Sequence, residues 1–370
     1  MRFSCSRGEF LRGIQIAVRT IPGRPTSLQI LKNVLIEAAG DTVTLTCYDQ
    51  EVGMQVRVSA QVEIEGETTA PAKLLAEVIA DLPEAPISLA SDESHNMTVS
   101  CQQTEYNLAG LSADDFPRLP EVGSETRVVL KAALLREIIR QTIFAVAVEE
   151  SRPALTGLYF SLGDGKVVAV ATDTHRLSIR EAMAPDVEGQ DQVILPGRAM
   201  DQFTRAIPAD ATDDVEVRVS RNQAMIHCRD ITVVSRLIEG PYPHYERVLP
   251  SAYEKLLLVE REAFTKAVKR VAIVARYAPK ANRMVMHTAD GMVHLLADIS
   301  GVGTAHEVVP VELQGDDVEM AFDCTYLLDV LGVLTGQTLR LEVSGTLTPC
   351  VIRSEADPGY RYIVMPMQIV

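Results

Sequence analysis

The amino-acid sequence predicts an α+β protein made of three tandem copies of one domain. Three observations predict this class: a pattern that recurs three times along the chain, two helical stretches in each copy, and strand-like segments that outnumber the helices. In each copy the two helices are expected to pack on one face of a sheet. The length of 370 residues fits two or three domains.

A hairpin-like segment is the clearest part of the repeat. It occurs at residues 34–49, 158–173 and 284–298, each time as two apolar strands around a Gly/Asp turn, a pattern typical of a β-hairpin. The aspartates that end the three segments are 124 and 125 residues apart. This constant spacing indicates copies of one unit.

Two helices are predicted in each copy from apolar periodicity and from Pro or Asp at helix starts. The opening helices are predicted over residues 9–20, 131–146 and 262–276, and the second helices over 71–80, 196–205 and 323–331. Pro117, Pro243 and Pro366, each preceded by an apolar or aromatic residue, close the copies. We therefore predict domains at 1–122, 123–250 and 251–370, and whole-domain repetition favours ring closure by oligomerisation.

The composition, with 47% hydrophobic and 23% charged residues, is that of an ordinary folded protein. Six widely spaced cysteines without a Cys-x-x-Cys pair predict buried, reduced thiols and no zinc site. No apolar run approaches the roughly 20 residues that span a bilayer, and the N-terminus has no signal-peptide core. These features predict a cytoplasmic protein.

The net charge of -15 argues against a protein that coats nucleic acid over its whole surface. The charge is unevenly distributed, however. Segments 1–20, 127–142 and 260–283, which hold the opening helices, carry +3, +3 and +5, while the sequence outside the six helices carries -24. This segregation predicts one basic face that contacts the phosphates of a polyanion without reading bases. The alternative is that solvated helix faces simply carry Lys and Arg.

Motifs for catalysis are missing: the sequence has no P-loop, dinucleotide-binding, nucleophile-elbow or zinc-protease signature. We therefore predict no catalytic residue, metal or cofactor. One segment leaves an alternative open, because Asp173 and His175 could form the acid/base pair of a hydrolase. The other interpretation is a turn ordered by Asp173, with His175 and Arg176 flanking an apolar pocket.

Several motifs resemble those of one known family. They are Thr172-Asp173-Thr174-His175-Arg176-Leu177, residues 239–250, Val364-Met365-Pro366-Met367, Gly23-Arg24-Pro25-Thr26 and Asp115-Phe116-Pro117. In this order and spacing the whole chain resembles the bacterial sliding clamp family, the β subunit of the replicative DNA polymerase III. Thr174 stands where members often have glycine.

The resemblance implies a head-to-tail homodimer of three-domain protomers that closes a ring of six DNA-clamp domains around duplex DNA. Helices would line the hole and sheets would form the outside. Such a ring tethers the replicative polymerase and gives processive synthesis without catalysing a reaction. The implied partners are duplex DNA, a second copy, and proteins with short peptide motifs: the polymerase α subunit, clamp-loader subunits, other polymerases, and mismatch-repair and ligase proteins.

The resemblance also implies site residues. A peptide groove between the second and third domains would use Leu155, Thr172, His175, Arg176, Leu177, Pro243, Arg247, Val248, Tyr326, Val364, Met365, Pro366 and Met367. The alternative for the terminal Met-Pro-Met is a fraying tail. DNA would be contacted by Arg24 and Arg152, with the helix cations Arg7, Arg12, Arg136, Arg140, Lys266, Lys269 and Arg270. At the dimer interface, Tyr106 and Leu108 would meet the partner's Ile273 and Val274.

Overall fold

The structure, a computed structural model, describes residues 1–21, 28–149, 151–278 and 282–369. In these residues it contains six α-helices, two in each predicted domain: α1 (Arg7–Ala17), α2 (Ala72–Asp81), α3 (Ala132–Thr142), α4 (Gly197–Ala206), α5 (Arg261–Ala275) and α6 (Cys324–Leu331). Single 3-10 turns, Val18–Thr20 and Ile143–Ala145, extend α1 and α3. All six predicted helices are confirmed, with ends within two residues once these turns are included.

The strands of the described residues follow the same threefold order. The first predicted domain holds β1 (Arg2–Cys5), β2 (Asn33–Ala39), β3 (Thr42–Tyr48), β4 (Val52–Ser59), β5 (Gln61–Ile64), β6 (Gly66–Pro71), β7 (Ile87–Ser91), β8 (Met97–Cys101) and β9 (Thr104–Leu108). The second holds β10 (Thr126–Lys131), β11 (Gly157–Gly163), β12 (Lys166–Thr172), β13 (Arg176–Met183), β14 (Val187–Glu188), β15 (Asp191–Pro196), β16 (Asp214–Ser220), β17 (Gln223–Cys228) and β18 (Ile231–Arg236). The third holds β19 (Lys255–Glu260), β20 (Arg283–Ala289), β21 (Met292–Ile299), β22 (Gly303–Gln314), β23 (Glu319–Asp323), β24 (Thr338–Val343), β25 (Cys350–Ser354) and β26 (Tyr360–Val364).

The three predicted hairpins are β2–β3, β11–β12 and β20–β21, and all three pair antiparallel. Polar side chains cap several helices, among them α5 and α6. The Glu260 carboxylate accepts hydrogen bonds from the Glu262 and Ala263 N–H groups at 2.9 and 2.5 Å, and Asp323 accepts one from the Thr325 N–H at 2.7 Å. The α+β class and the order of elements are therefore confirmed.

The described chain divides into two compact units. Unit one comprises Met1–Arg136, Asp186–Asp191 and Arg198–Leu237. It contains a five-stranded sheet in the order β5-β1-β7-β8-β9 and a nine-stranded sheet in the order β14-β10-β16-β17-β18-β4-β3-β2-β6. In the longer sheet, β4 pairs antiparallel with β18 over five residue pairs, so strands from the first and second predicted domains share one sheet.

Unit two comprises Glu137–Pro185, Gln192–Gly197 and Ile238–Val370. Its twelve strands run in the order β15-β11-β12-β13-β26-β25-β24-β19-β22-β21-β20-β23. Here β13 pairs antiparallel with β26, again over five residue pairs. Behind this junction Ser178 Oγ lies 2.9 Å from the buried Tyr360 hydroxyl, and Arg180 forms an ion pair with Asp357. The C-terminal strand is thus inserted into the middle of the sheet. The boundaries at 122/123 and 250/251 stay a prediction.

All six cysteines are free and buried, which confirms the interpretation of them as small apolar residues of the interior. Burial raises the pKa of Cys5 and of Cys324 to about 12, so these thiols stay protonated at neutral pH. Among the helices of the described residues, none has the length and apolarity required to cross a membrane.

Candidate functional site

A tight turn in unit two builds the centre of the site. Asp173 Oδ1 accepts hydrogen bonds from the His175 and Arg176 N–H groups at 3.0 and 3.1 Å, and Thr172 Oγ1 donates to the Arg176 carbonyl at 2.6 Å. Thr174 has φ +80°, in the left-handed region that favours glycine, and its N–H donates to Thr172 Oγ1 at 3.1 Å. These hydrogen bonds hold Thr174 in a conformation that its side chain alone disfavours.

The side chain of Arg176 lies behind this turn, and only 10% of it is exposed. Its Nε donates to Asp173 Oδ2 at 2.9 Å, its Nη1 to Asp329 Oδ2 at 2.5 Å and its Nη2 to the Phe144 carbonyl at 2.5 Å. The guanidinium carbon also lies 4.4 Å from the centre of the Tyr326 ring. These contacts involve all three of its nitrogens, so Arg176 positions the wall of the groove that it flanks.

Burial alone would lower the pKa of Arg176. The hydrogen bond to Asp329 and the negative charges of Asp173 and Asp329 outweigh that effect and hold the pKa above its ordinary value. Arg176 is therefore a permanent buried cation, paired on two sides.

An apolar cavity of about 200 Å³ opens beside the turn. Its walls come from three segments of unit two: the turn with the start of β13, the 3-10 turn Tyr245–Val248 with the residues before it, and the end of β26. The lining residues are Thr172, Thr174, Arg176, Leu177, Pro243, His244, Tyr245, Val248, Ile363 and Met365. Such a small, mostly apolar, preformed slot suits one or two apolar side chains of a ligand.

The C-terminal segment is fixed to the site. The Met365 N–H donates to the His175 carbonyl at 2.9 Å, and the Met367 N–H donates to the Ala321 carbonyl at 2.7 Å. The alternative of a fraying tail is therefore wrong for residues 365–367. Met365 is 37% exposed and forms part of the cavity wall.

Six of the thirteen predicted groove residues line this cavity: Thr172, Arg176, Leu177, Pro243, Val248 and Met365. His175 and Tyr326 lie beside it, with their rings stacked at 6.5 Å. Leu155 is buried, Arg247 is exposed, and Pro366 and Met367 follow the cavity wall along the chain.

Val364 is placed differently from the prediction. It is fully buried in the core of the third predicted domain, whereas its neighbour Ile363 faces the cavity. The reason is the alternation of side chains along β26, which sends adjacent residues to opposite faces. The sequence motif alone could not show which β26 residues face the cavity and which face the core.

Four lining residues were not among the predicted groove residues: Thr174, His244, Tyr245 and Ile363. Tyr245 packs in a cluster with Tyr159 and Tyr242, whose rings are stacked at 5.0 Å. Burial raises the pKa of Tyr245 to about 12. His244 and Tyr245 both belong to the sequence motif at residues 239–250. That motif was therefore the signal that could have identified them.

The hydrolase alternative needs an acid/base pair, and the geometry does not provide one. In the described residues the Asp173 carboxylate binds two backbone N–H groups and Arg176, not the His175 imidazole. The His175 ring packs against Tyr326 instead. Across the described ranges no group of three or more His, Cys, Asp or Glu side chains could hold a metal ion.

Seven of the nine predicted DNA-contacting cations lie on the opening helices, and six of these seven have intramolecular partners. Arg7 is largely buried and donates to the Ile79 carbonyl at 3.0 Å, and Arg136 donates to the Ile207 carbonyl. The pairs at the helix surface are Arg12 with Asp230, Lys266 with Glu262 and Arg270 with Glu307, each at 2.6 Å, and Arg140 with the Val333 carbonyl at 3.4 Å. Lys269 is exposed, and no described residue pairs with it. Arg152 is exposed, and Arg24 lies outside the described residues.

The predicted dimer residues lie on an edge strand and on a helix. Tyr106 and Leu108 belong to β9, the last strand of the five-stranded sheet. Tyr106 is 37% exposed, but Leu108 is buried. On α5, Ile273 is half exposed and Val274 packs partly against the core.

Comparison with known proteins places this geometry in a family. Three family models match in order: the N-terminal, central and C-terminal domains of the DNA polymerase III beta subunit, at residues 1–120, 129–244 and 246–368. The protein named Beta sliding clamp of Staphylococcus epidermidis is 29% identical over 377 aligned residues, which cover 100% of this chain and 99% of the relative.

Solved structures match over the full length of both chains. The beta sliding clamp of C. crescentus has 30% identity and a TM-score of 0.92, and the DNA polymerase III subunit beta of Pseudomonas aeruginosa has 29% identity and a TM-score of 0.93. Nothing in the site or in these matches supports a hydrolase. The chain therefore belongs to the DNA polymerase III beta subunit family, the sliding clamps, which are non-catalytic processivity factors of that polymerase.

Proposed function

We propose that two copies of this chain close head to tail into a ring around duplex DNA and that each copy recruits replication and repair proteins through the cavity beside Thr172–Leu177. The ring holds its partners on DNA by enclosure. Contacts with phosphate can then stay weak enough for sliding, because dissociation is prevented topologically.

One observation carries the ring proposal: the same strand junction occurs twice within the chain. β4 pairs with β18 and β13 pairs with β26, each antiparallel and each over five residue pairs. In the repeat, β4 and β13 correspond to the first half of β22, while β18 and β26 correspond to β9. In the described residues β9 and the first half of β22 each have a free edge. β9 pairs only with β8, and residues 303–310 of β22 pair only with β21.

A third junction of the same kind would join β9 of one copy to β22 of the next. Edge strands with unpaired N–H and C=O groups favour such pairing between chains. Tyr106 on β9 and Ile273 on α5 are both exposed and would supply apolar contact near the junction. Two copies would then give a closed ring of six domains.

The opening helices would face the DNA. Their segments carry +3, +3 and +5 in a chain of net charge -15, and in the described residues Lys269 and Arg152 have no ion-pair partner. Both are therefore available for phosphate. Arg24 is proposed from the family motif alone.

The cavity would bind the apolar residues of a short partner peptide. Burial of each Leu or Phe side chain contributes about 1.5 to 3 kcal/mol, so two anchors with a few hydrogen bonds give micromolar affinity. The exposed side chains of His175, His244 and Arg247 can donate to a glutamine in the same peptide. The proposed partners are the polymerase α subunit, clamp-loader subunits, other polymerases, and mismatch-repair and ligase proteins.

Fluorescence anisotropy of a labelled Gln-x-Leu-x-Leu-Phe peptide tests the groove. We expect saturable micromolar binding to the full chain and none after deletion of residues 365–370, since Met365 is part of the cavity wall. A chain that lacks only residues 368–370 is the matched control and should bind as the full chain does. Failure of the folded full chain to bind would contradict the proposed recruitment.

A further inference from the structure

A second, more polar cavity lies beside the apolar one on the same face of the unit-two sheet. Strand register places Leu177, Ile363, Val351 and Glu342 directly opposite one another on β13, β26, β25 and β24. Residues paired in this way share a face. Leu177 and Ile363 line the apolar cavity, while Val351 and Glu342 line a cavity of about 290 Å³.

One hydrophobic cluster connects the linings of the two cavities. Leu177, Ile363 and Val351 form a hydrophobic cluster with Tyr245, which is also a wall of the apolar cavity. A peptide anchored in the first cavity therefore has the second within reach of its neighbouring residues.

Arg353 lines the second cavity, and two more arginines lie on the same face of the neighbouring strands. Arg340 on β24 is paired in register with Arg353 on β25, and Arg361 on β26 is two residues before Ile363 and so lies on the same face. Arg340 is fully engaged: its contacts are Glu355 at 3.2 Å, Glu342 at 3.6 Å and the Tyr253 hydroxyl at 3.4 Å.

Arg353 and Arg361 keep unused donors. Arg353 is 39% exposed, and its contact is one ion pair, from Nε to the buried Glu342 carboxylate at 3.3 Å. Arg361 is half-buried, and among the described residues its side chain has neither an ion pair nor a hydrogen bond.

Free guanidinium N–H groups next to an apolar anchor site suit a carboxylate, which is the bidentate acceptor that the side chains of a peptide offer. The guanidinium binds a carboxylate through two parallel charge-assisted hydrogen bonds, and such a contact is stronger on a partly buried surface than in open water. Arg361 is displaced from Ile363 by two strand residues, about 7 Å. A carboxylate within two or three residues of the apolar anchors would reach it.

We propose that Arg353 and Arg361 form a carboxylate-binding subsite that favours partner peptides with Asp or Glu beside their apolar anchor residues. This inference rests on the proposed peptide groove and adds a specificity to it. Selectivity of this kind is a difference between two affinities, so it is measured on pairs of peptides.

The test is fluorescence anisotropy with three labelled peptides that share the Gln-x-Leu-x-Leu-Phe core. One has neutral Ser flanks, one has two Asp residues before the core, and one has two Asp residues after it. For the wild-type chain we expect at least one acidic peptide to bind about tenfold more tightly than the neutral one, about 1.4 kcal/mol. Equal affinity for all three peptides would overturn the subsite and leave the groove intact, whereas no binding of any peptide would overturn the groove itself.

Two substitutions locate the effect. Arg361→Gln removes a side chain without a partner, so the fold should not change, and the acidic preference should fall to about threefold or less. Arg361→Glu should reverse the preference toward a peptide with Lys flanks. The matched control is Lys166→Gln, which removes one charge at the far end of β12, six residues or about 20 Å from Thr172. An acidic preference that survives Arg361→Glu would also overturn the proposal.

Discussion

At the scale of single residues, Arg176 holds the wall of the cavity in place. Its three nitrogens bind Asp173, Asp329 and the Phe144 carbonyl, and its guanidinium lies over Tyr326. The turn, the end of α3 and the helix α6 are thereby held together. A buried cation with two carboxylate partners is costly to remove because the carboxylates are left without compensation.

We expect Arg176→Ala to lower the free energy of unfolding by about 3 kcal/mol. Urea denaturation followed by circular dichroism measures this change. The control is Lys166→Ala, which removes an exposed ion pair with Glu181 at 3.0 Å and should cost less than about 1 kcal/mol. Similar small losses in both variants would contradict a structural role for Arg176.

The buried cysteines predict how stability and reactivity depend on pH. The folded-state pKa values of Cys5 and Cys324 are raised from 9.0 to about 12 by burial, first of all, and by nearby acidic charge. A folded state that keeps protons which the unfolded state releases loses stability as pH rises. These two thiols therefore contribute fully below pH 9, and their contribution is lost between pH 9 and about 12.

We expect slow reaction of the folded chain with a thiol reagent such as DTNB at pH 8, and release of six equivalents in denaturant. The free energy of unfolding should be flat with respect to these thiols below pH 9 and fall above it. Rapid labelling of the native chain, or stability that increases above pH 9, would show that the thiols are not buried as described.

At the scale of elements, the helices and hairpins could be predicted because each is formed by residues that are close together in the sequence. Each hairpin and each helix has its own periodic pattern, and three copies confirm one another. Long-range pairing could not be predicted in the same way. The sequences of β26 and β18 do not predict that these strands pair with β13 and β4, because such pairing depends on the shape of the assembled sheets.

The site residues divide in the same way, into those that follow from a local motif and those that depend on long-range pairing. The motif residues Leu177, Pro243 and Met365 line the cavity as predicted, because the motif positions are fixed along the chain. Val364 was assigned to the groove, yet Ile363 lines it, because the face that each β26 residue presents is set by register with β13 and β25. The burial of Arg176 could not be predicted, because it follows from contacts with α6, which is distant in sequence.

The helix α5 carries the prediction about DNA. Lys269 is exposed on α5 and has no partner among the described residues, so Lys269→Glu should change the free energy of unfolding by less than about 0.5 kcal/mol. It should nevertheless weaken DNA binding, and the slope of log affinity against log salt should fall by about one for each phosphate that Lys269 no longer neutralises. Binding to labelled duplex DNA across a salt series measures both quantities.

The control for this experiment is Arg221→Glu, which makes the same change in charge at an exposed turn between β16 and β17. It should leave DNA affinity close to that of the wild type, apart from a small general electrostatic effect. If both variants lose affinity equally, the opening helices do not form the DNA-facing surface.

At the scale of the whole molecule, the acidic net charge and the basic helices together determine where duplex DNA is attracted. A ring with cations on the inside and acidic strands and loops elsewhere attracts duplex DNA to one place and repels it from the rest. The time that the protein stays on DNA is then set by enclosure and not by binding affinity. This separates a clamp from an ordinary DNA-binding protein, which must bind tightly in order to stay.

The most direct test of the ring is retention on DNA of different topology. The chain is loaded onto nicked circular DNA by a bacterial clamp loader, the complex is isolated by gel filtration at moderate salt, and half of it is linearised with a restriction enzyme. We expect the protein to remain on the circle and to leave the linear molecule through its free ends. Equal retention on both forms would contradict the encircling ring and would indicate ordinary contact binding instead.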